Sequence, residues 1–550
     1  MRCDVRGLVW LTALVSGVAR GAWAAEAPAV VKEVRQEVTK SNADAGGRPL
    51  PVASHWARSF GGRNFSSEYQ VSMLEQGHHV MPNLDMPSPG AETYEEKGRE
   101  VVRKLAEWRA PFSLRGGQWE QLLLSKDHPR DDPGKWRNLP LEKTPLLVDL
   151  TGRIDNWISP FGAVEPWREV GRYYASSGSF DQLQQWYPDP PLVIFLSNNE
   201  ARRLKPKHKV EERSKRYVDK YGTGRPGAFQ RGVMAEAYLE RYAALLKGMR
   251  EGLRSERWRR SCLLVAYNAL GPPHFGRWED WPSYSWTTED RIDPWHLVWE
   301  GGSVSYYTHN WNASTDYRVW SPQIEAMNWV FMLEEAYEER PDFWFELSVW
   351  DGNSSAGGDD GKQKRNTYLE AGQQWSPGRY EGFVQYGMWL TRPRVVREFR
   401  GHGVPREEFR EYFAALLAAV DRVWKDPVLR RFWRKGKLVP NHSREHPYQT
   451  RIPEKWRGVD RWYLLNTSVD PPGEWGLMTE VPVFSLARAM GREGNREWLL
   501  YAHAPAKGLE GVEIEVPDYG TVTVDVTPAG RFYHVREKGQ SVTLLNGGGR

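Results

Sequence analysis

Two textures divide this chain, and together they predict an α/β fold: a (β/α)8 TIM barrel followed by a C-terminal antiparallel β-sandwich. Between about residues 70 and 435, short apolar runs alternate with longer helical patterns. After residue 435 the helical patterns stop, and short alternating segments recur at near-regular spacing.

Eight runs read as barrel strands: 78–84, 111–116, 145–150, 192–197, 262–267, 303–309, 343–349 and 382–390. The clearest is the fourth. Leu192 to Leu196 are all apolar, as suits a strand buried on both faces, and the run breaks into Ser197-Asn198-Asn199-Glu200. Helices fall between the runs. In 232–249 the residues Met234, Tyr238, Tyr242, Leu245, Leu246 and Met249 form one stripe at spacings of three and four. Segments 321–339 and 406–424 repeat that pattern, the first from a Ser-Pro start. An open doubly wound sheet is the alternative architecture, but no G-x-G-x-x-G turn follows any of these strands. In the C-terminal part, 461–469, 496–505, 511–518, 520–528 and 531–538 read as sandwich strands.

Residues 1–24 have the features of an export signal. Arg2 and Arg6 precede an apolar stretch from Gly7 to Val18, and Ala22-Trp23-Ala24 offers a small-x-small cleavage site. That stretch is too short to span a membrane, so an exported protein, periplasmic or extracellular, without a membrane span is expected. The resulting division is 1–24 signal, 25–69 N-terminal extension, 70–435 barrel and 436–550 sandwich. Removing the signal takes the formal charge from +4 to +2, because it holds three arginines and Asp4. So small a charge gives no support to nucleic-acid binding. The one basic run, Arg202 to Lys220, is interrupted by acids and reads as a solvated face. Once Cys3 leaves with the signal, Cys262 stands alone in an apolar run, where it reads as a small buried hydrophobe.

The composition carries one functional hint. The chain has 28 tryptophans, more than packing alone asks for, since each buried indole N–H needs a partner. Trp278, Trp281, Trp286, Trp295, Trp311 and Trp320 fall in predicted loops, where flat rings can serve as platforms for sugar rings. Carboxylates supply the second hint. Glu200 follows the fourth strand, and Glu346 interrupts the apolar seventh, where an ionised group is costly unless it faces a polar interior. The structural alternative for Glu346 is an acid paired with an arginine inside the barrel, and for Asn198 to Glu200 a cap on the following helix.

With these residues in place, the chain resembles the large clan of retaining (β/α)8 glycoside hydrolases. Asn199-Glu200 after the fourth strand and Glu346 on the seventh match that clan's motifs in type and strand order. The resemblance implies Glu200 as general acid/base, Asn199 as a ligand of the sugar 2-hydroxyl and Glu346 as nucleophile. Asp351, five residues past Glu346, is a rival nucleophile, although Asp351-Gly352-Asn353 reads more like a turn. Such chemistry needs one carboxyl held protonated and the other ionised, about 5–5.5 Å apart if configuration is retained. Gln118, Trp119, Asp149, Asn268, His309, Asn310 and Trp311, at or beyond the ends of predicted strands, are the further candidates for substrate binding. No cofactor is implied and no metal site is predicted, since His78 and His79 lack identifiable acidic partners. The expected partner is a poly- or oligosaccharide, and Arg202, Arg203 and Arg277 leave room for sulfate or uronate groups. A non-catalytic carbohydrate-binding protein on the same scaffold is the alternative function. A lyase or a metal-dependent hydrolase would need residue sets not visible in this chain.

Overall fold

The computed structural model describes residues 27–44, 46–61, 64–117, 119–124, 138–198, 213–267, 294–307, 321–350, 376–399, 406–444, 460, 462–471 and 481–545. Within them the chain forms an eight-stranded parallel barrel with helices around it, and antiparallel sheets at the C-terminal end. The barrel strands are β1 (Val52–His55), β2 (Asn83–Asp85), β3 (Phe112–Gly116), β4 (Val193–Ser197), β5 (Cys262–Ala266), β6 (Gly301–Tyr307), β7 (Trp344–Trp350) and β8 (Val395–Glu398). Neighbours in sequence pair in parallel from β2 through to β8. β1 pairs with β8, and a bridge between Ala53 and Val80 joins it towards β2, which closes the ring.

Two of the expected strands are corrected. Residues 145–150 are not a barrel strand: Leu146–Val148 pairs antiparallel with Ile154–Ile158 in a separate hairpin. Residues 382–390 lie in a helix, Pro377–Thr391. The Ser376 hydroxyl caps it by accepting from the Arg379 N–H, and Pro377 occupies its first turn. Twelve of its residues are buried, so no polar face reveals its helical period. One side packs on the barrel, where Phe383 stacks on Tyr306 with centroids 4.1 Å apart. The other meets the C-terminal sheets so closely that a Cβ on Gly382 would lie 2.0 Å from the Pro528 carbonyl oxygen.

The true first and last strands, β1 and β8, fall outside the expected set, and β1 lies within the segment expected to be an extension. The predicted helices match better, with Gly227–Gly252, Ser321–Glu339 and Arg406–Lys425 enclosing the three expected segments. At the C-terminus, Lys437–Leu438, Phe484–Met490, Glu497–His503, Arg531–Arg536 and Ser541–Leu545 make a five-stranded sheet. Against it stands the hairpin Leu509–Val516 with Gly520–Val526, whose alternate residues are buried. Together they bury Val512, Ile514, Val522 and Val524 with Leu500 and Val535 in a core of their own, the sandwich predicted. The strand expected at 461–469 is absent there apart from a single bridge at Thr467, and Phe484–Met490 takes its place.

Candidate active site

Side chains alternate across a strand, so each barrel strand sends every second residue into the lumen. The lower polar layer comprises Glu346, Arg397, Ser54, Ser113 and Asn83, all fully buried. Arg397 grips Glu346 with two parallel bonds, Nε to Oε2 and Nη2 to Oε1, both 3.0 Å. Oε1 also accepts from the Trp344 indole at 2.9 Å. The remaining guanidinium nitrogen donates to Ser54 Oγ at 2.7 Å and Ser113 Oγ at 3.1 Å, and Ser113 passes the chain to Asn83 Oδ1 at 2.7 Å. A buried ion pair is tolerable only when its spare donors and acceptors are met in this way.

Above it lies a second polar layer. The Trp56 indole donates to Ser348 Oγ at 2.6 Å, which also bonds the Tyr307 hydroxyl at 3.1 Å. Tyr267 donates to Tyr307 at 3.0 Å and in turn accepts from Ser305. Arg115 donates to the Trp56 carbonyl at 2.9 Å and lies 4.7 Å from the centre of its ring. Beyond these, at the carboxyl ends of the strands, Trp350 and Phe399 pack on Tyr307 with centroids 5.5 and 5.1 Å away. The mouth of the barrel is therefore aromatic walls around a connected set of hydroxyl groups.

Three charged residues rim the mouth beside β1 to β3. Arg58 meets Asp85, the last residue of β2, at 3.1 Å, with both side chains partly exposed. Partial burial pushes the Asp85 carboxyl above its usual range although Arg58 and Arg115 oppose this. Glu120, just past β3, is fully buried, and among the described residues neither of its oxygens has a hydrogen-bond partner beyond the residue's own backbone N–H. Burial pushes it up to about 7, so the acid is held half-protonated near neutral pH. At the end of β8, Glu398 is buried and accepts from the Tyr380 hydroxyl of the helix outside the barrel.

The predicted site residues divide as follows. Glu346 is inside the barrel, on the third residue of β7, and its geometry is that of the ion-paired alternative weighed from the sequence. Trp119 is fully buried against Gly116, Tyr174 and Trp299, as a packing residue. Asp149 stands in the 146–158 hairpin rather than at a barrel strand end. Its Oδ1 accepts from the Thr151 N–H and hydroxyl and from the Arg153 N–H, which holds the carboxyl below its usual range and closes the turn. Gln118, Asn199, Glu200, Asn268, His309, Asn310, Trp311 and Asp351 lie outside the described residues, as do Trp278, Trp281, Trp286 and Trp320. Sequence reasoning missed Trp56, Arg115, Tyr267 and Tyr307. A signal for Tyr267 was present, since it ends the apolar run 262–267 with a polar tip.

His78 and His79 sit at the opposite, amino end of the barrel. They bond Asp421 through Nδ1 at 2.7 and 2.8 Å, and His79 Nε2 meets Glu33 at 2.9 Å. Among the described residues no group of three or more His, Cys, Asp or Glu is arranged to hold a metal. Cys262 is buried, which pushes its thiol up to about 11. No helix among the described residues is long and apolar enough to cross a membrane.

No family model matches the chain, and no curated protein does. Solved structures similar to it include an endogalactoceramidase, with a TM-score of 0.30 and 13% identity over 91% of this chain and 97% of that one. Another is endo-glycoceramidase II from Rhodococcus sp., with a TM-score of 0.29 and 13% identity over 88% of this chain and 98% of that one. A third is a family 51 alpha-L-arabinofuranosidase from Bifidobacterium longum, with a TM-score of 0.25 and 12% identity over 77% and 79%.

Proposed function

We propose that the chain is an exported glycoside hydrolase that cleaves a poly- or oligosaccharide at the carboxyl-end mouth of its barrel, with retention of configuration. One observation carries the reading. The fourth strand of the closed barrel ends at Ser197, two residues before Asn199 in the sequence, and the seventh ends at Trp350, the residue before Asp351, and both strands end at an aromatic, hydroxyl-lined mouth. In this reading Glu200 protonates the leaving oxygen, Asn199 meets the sugar 2-hydroxyl, and a β7 carboxylate attacks the anomeric carbon.

Two acids compete for that attack. In favour of Glu346, the two parallel bonds from Arg397 fix the orientation of its carboxyl group. Its depth tells against it: four residues separate it from the end of β7, a rise of about 13 Å, and the Ser348 layer lies between. Asp351 follows Trp350, the last residue of β7, in the sequence, and this reading assigns the attack to it. In this reading Glu346 serves the barrel as half of its central ion pair.

The test is a panel of aryl glycosides and polysaccharides with anomeric product analysis by NMR, run on Glu200→Gln, Asp351→Asn and Glu346→Gln. Glu200→Gln should lower turnover by roughly 10²–10⁴-fold. Asp351→Asn should do at least the same at unchanged melting temperature, whereas Glu346→Gln should chiefly lower that temperature. Full activity in Glu200→Gln would refute the assignment, and full activity in Asp351→Asn would return the nucleophile to Glu346. A protein that binds sugars yet turns over no member of the panel would be the non-catalytic alternative.

A further inference from the structure

A cavity of about 330 Å³ lies where the barrel meets the C-terminal sheets, lined in part by Arg48, Glu334, Tyr337, Arg392, Lys437 and Arg488. Four cations thus face one carboxylate. Among the described residues none of the four forms an ion pair, and Glu334 forms none either. The Arg488 guanidinium is fixed by the carbonyls of Trp389, Gly436 and Leu390 at 2.7, 3.0 and 3.0 Å. Carbonyls satisfy its N–H groups but leave its charge uncompensated. Arg392 donates to the Trp433 carbonyl at 3.0 Å from a left-handed backbone, φ 48°, which a residue with a Cβ adopts only at a cost. Arg48 lies flat on Tyr337, 3.9 Å from the ring centre, and its Nη1 is buried with no hydrogen-bond partner.

The electrostatics agree with the geometry. Burial and the neighbouring Arg48 push Arg392 down to about 10, and burial with Arg392 and Arg48 pushes Arg488 down as well. Partial burial and Glu338 push Glu334, the single acid of this lining, up from its usual range, against the pull of Arg392, Arg48 and Arg488. Forked guanidinium groups converging on a space of this size match the oxygens of a tetrahedral anion.

We infer that this seam between barrel and sandwich binds a small oxyanion of the phosphate or sulfate class, free or as an ester, held by Arg48, Arg392, Lys437 and Arg488. Bound there, the anion would tie the N-terminal segment, the barrel and the C-terminal sheet together. The inference does not depend on the glycosidase reading.

Thermal melting at constant ionic strength tests it, with sodium phosphate, sodium sulfate or glucose 6-phosphate replacing sodium chloride. At about a hundred times its Kd, an anion should raise Tm of the full chain by roughly 2–3 °C. Arg48→Ala and Lys437→Ala, both at partly or fully exposed positions, should melt normally in chloride and lose that shift. A larger shift with glucose 6-phosphate than with inorganic phosphate would identify an ester as the ligand, and an equal or smaller one the free ion. Absence of any shift in the wild type, or the same shift in both variants, would overturn the proposal.

Discussion

Replacing Glu120 with glutamine should stabilise the protein, and more so as pH rises. The carboxyl is fully buried beside Trp119, among the described residues without a partner beyond its own backbone N–H, and burial carries it from 4.5 to about 7. The sign follows from proton counting. Between these two values the folded chain holds a proton at Glu120 that the unfolded chain has released, so folding loses stability as pH rises from about 4.5 through 7. Above pH 7 the accumulated loss is roughly 3 kcal/mol, from the pKa change at about 1.4 kcal/mol for each pH unit. Glutamine fills the same space with no charge to desolvate and removes that loss. For a chain of this length, an unfolding entropy of about 1 kcal/mol per kelvin converts 3 kcal/mol into a Tm gain of roughly 3 °C. Melting curves of wild type and Glu120→Gln at pH 5, 6, 7 and 8 provide the assay. The two should nearly coincide at pH 5, with the variant pulling ahead through pH 7 and levelling off beyond 8. A constant difference across the series, or a variant that loses ground at pH 8, would refute the claim that Glu120 is buried without a compensating partner.

The remaining predictions concern the barrel's central ion pair and its amino end. Glu346→Gln or Arg397→Met alone leaves one buried charge uncompensated and should cost about 3–5 kcal/mol, read as a drop in Tm. The double variant Glu346→Leu with Arg397→Met should recover most of that drop, and failure to recover would show that the pair does more than neutralise itself. At the amino end, hydrogen bonds from His78 and His79 outweigh the effect of burial and hold the Asp421 carboxyl below its usual 3.8. The stability it contributes is present above about pH 4 and is lost as pH falls through the folded value. Asp421→Asn should therefore lower Tm clearly at pH 6, and the gap should close below pH 4; a gap independent of pH would contradict this.

Which strands could be read from the sequence follows from what each strand buries. β4, β5 and β7 are short apolar runs because both faces are covered, and such runs are visible without any partner in view. β1 and β8 are four residues each, and each carries a lumen polar residue, Ser54 and Arg397, in place of part of that run. The helix 377–391 imitates a strand for the opposite reason, being buried on nearly every face, with Gln385 the one polar side chain between Phe383 and Leu390 apart from the Tyr386 hydroxyl and the Trp389 indole. Omitting β1 and admitting the 146–148 segment offset one another before β4, so the strand numbers assigned to Glu200 and Glu346 survive two errors. Depth is a different matter. An acid inside an apolar run signals that the residue faces the lumen, but its height there is set by register with strands far away in the chain. Arg397 is 51 residues from Glu346, and Trp56, which bonds the serine above it, is 292 residues from Ser348. Neither distance leaves a local pattern. The sequence could therefore separate lumen from exterior at Glu346, whereas core and mouth become distinct only when β1, β7 and β8 are in register.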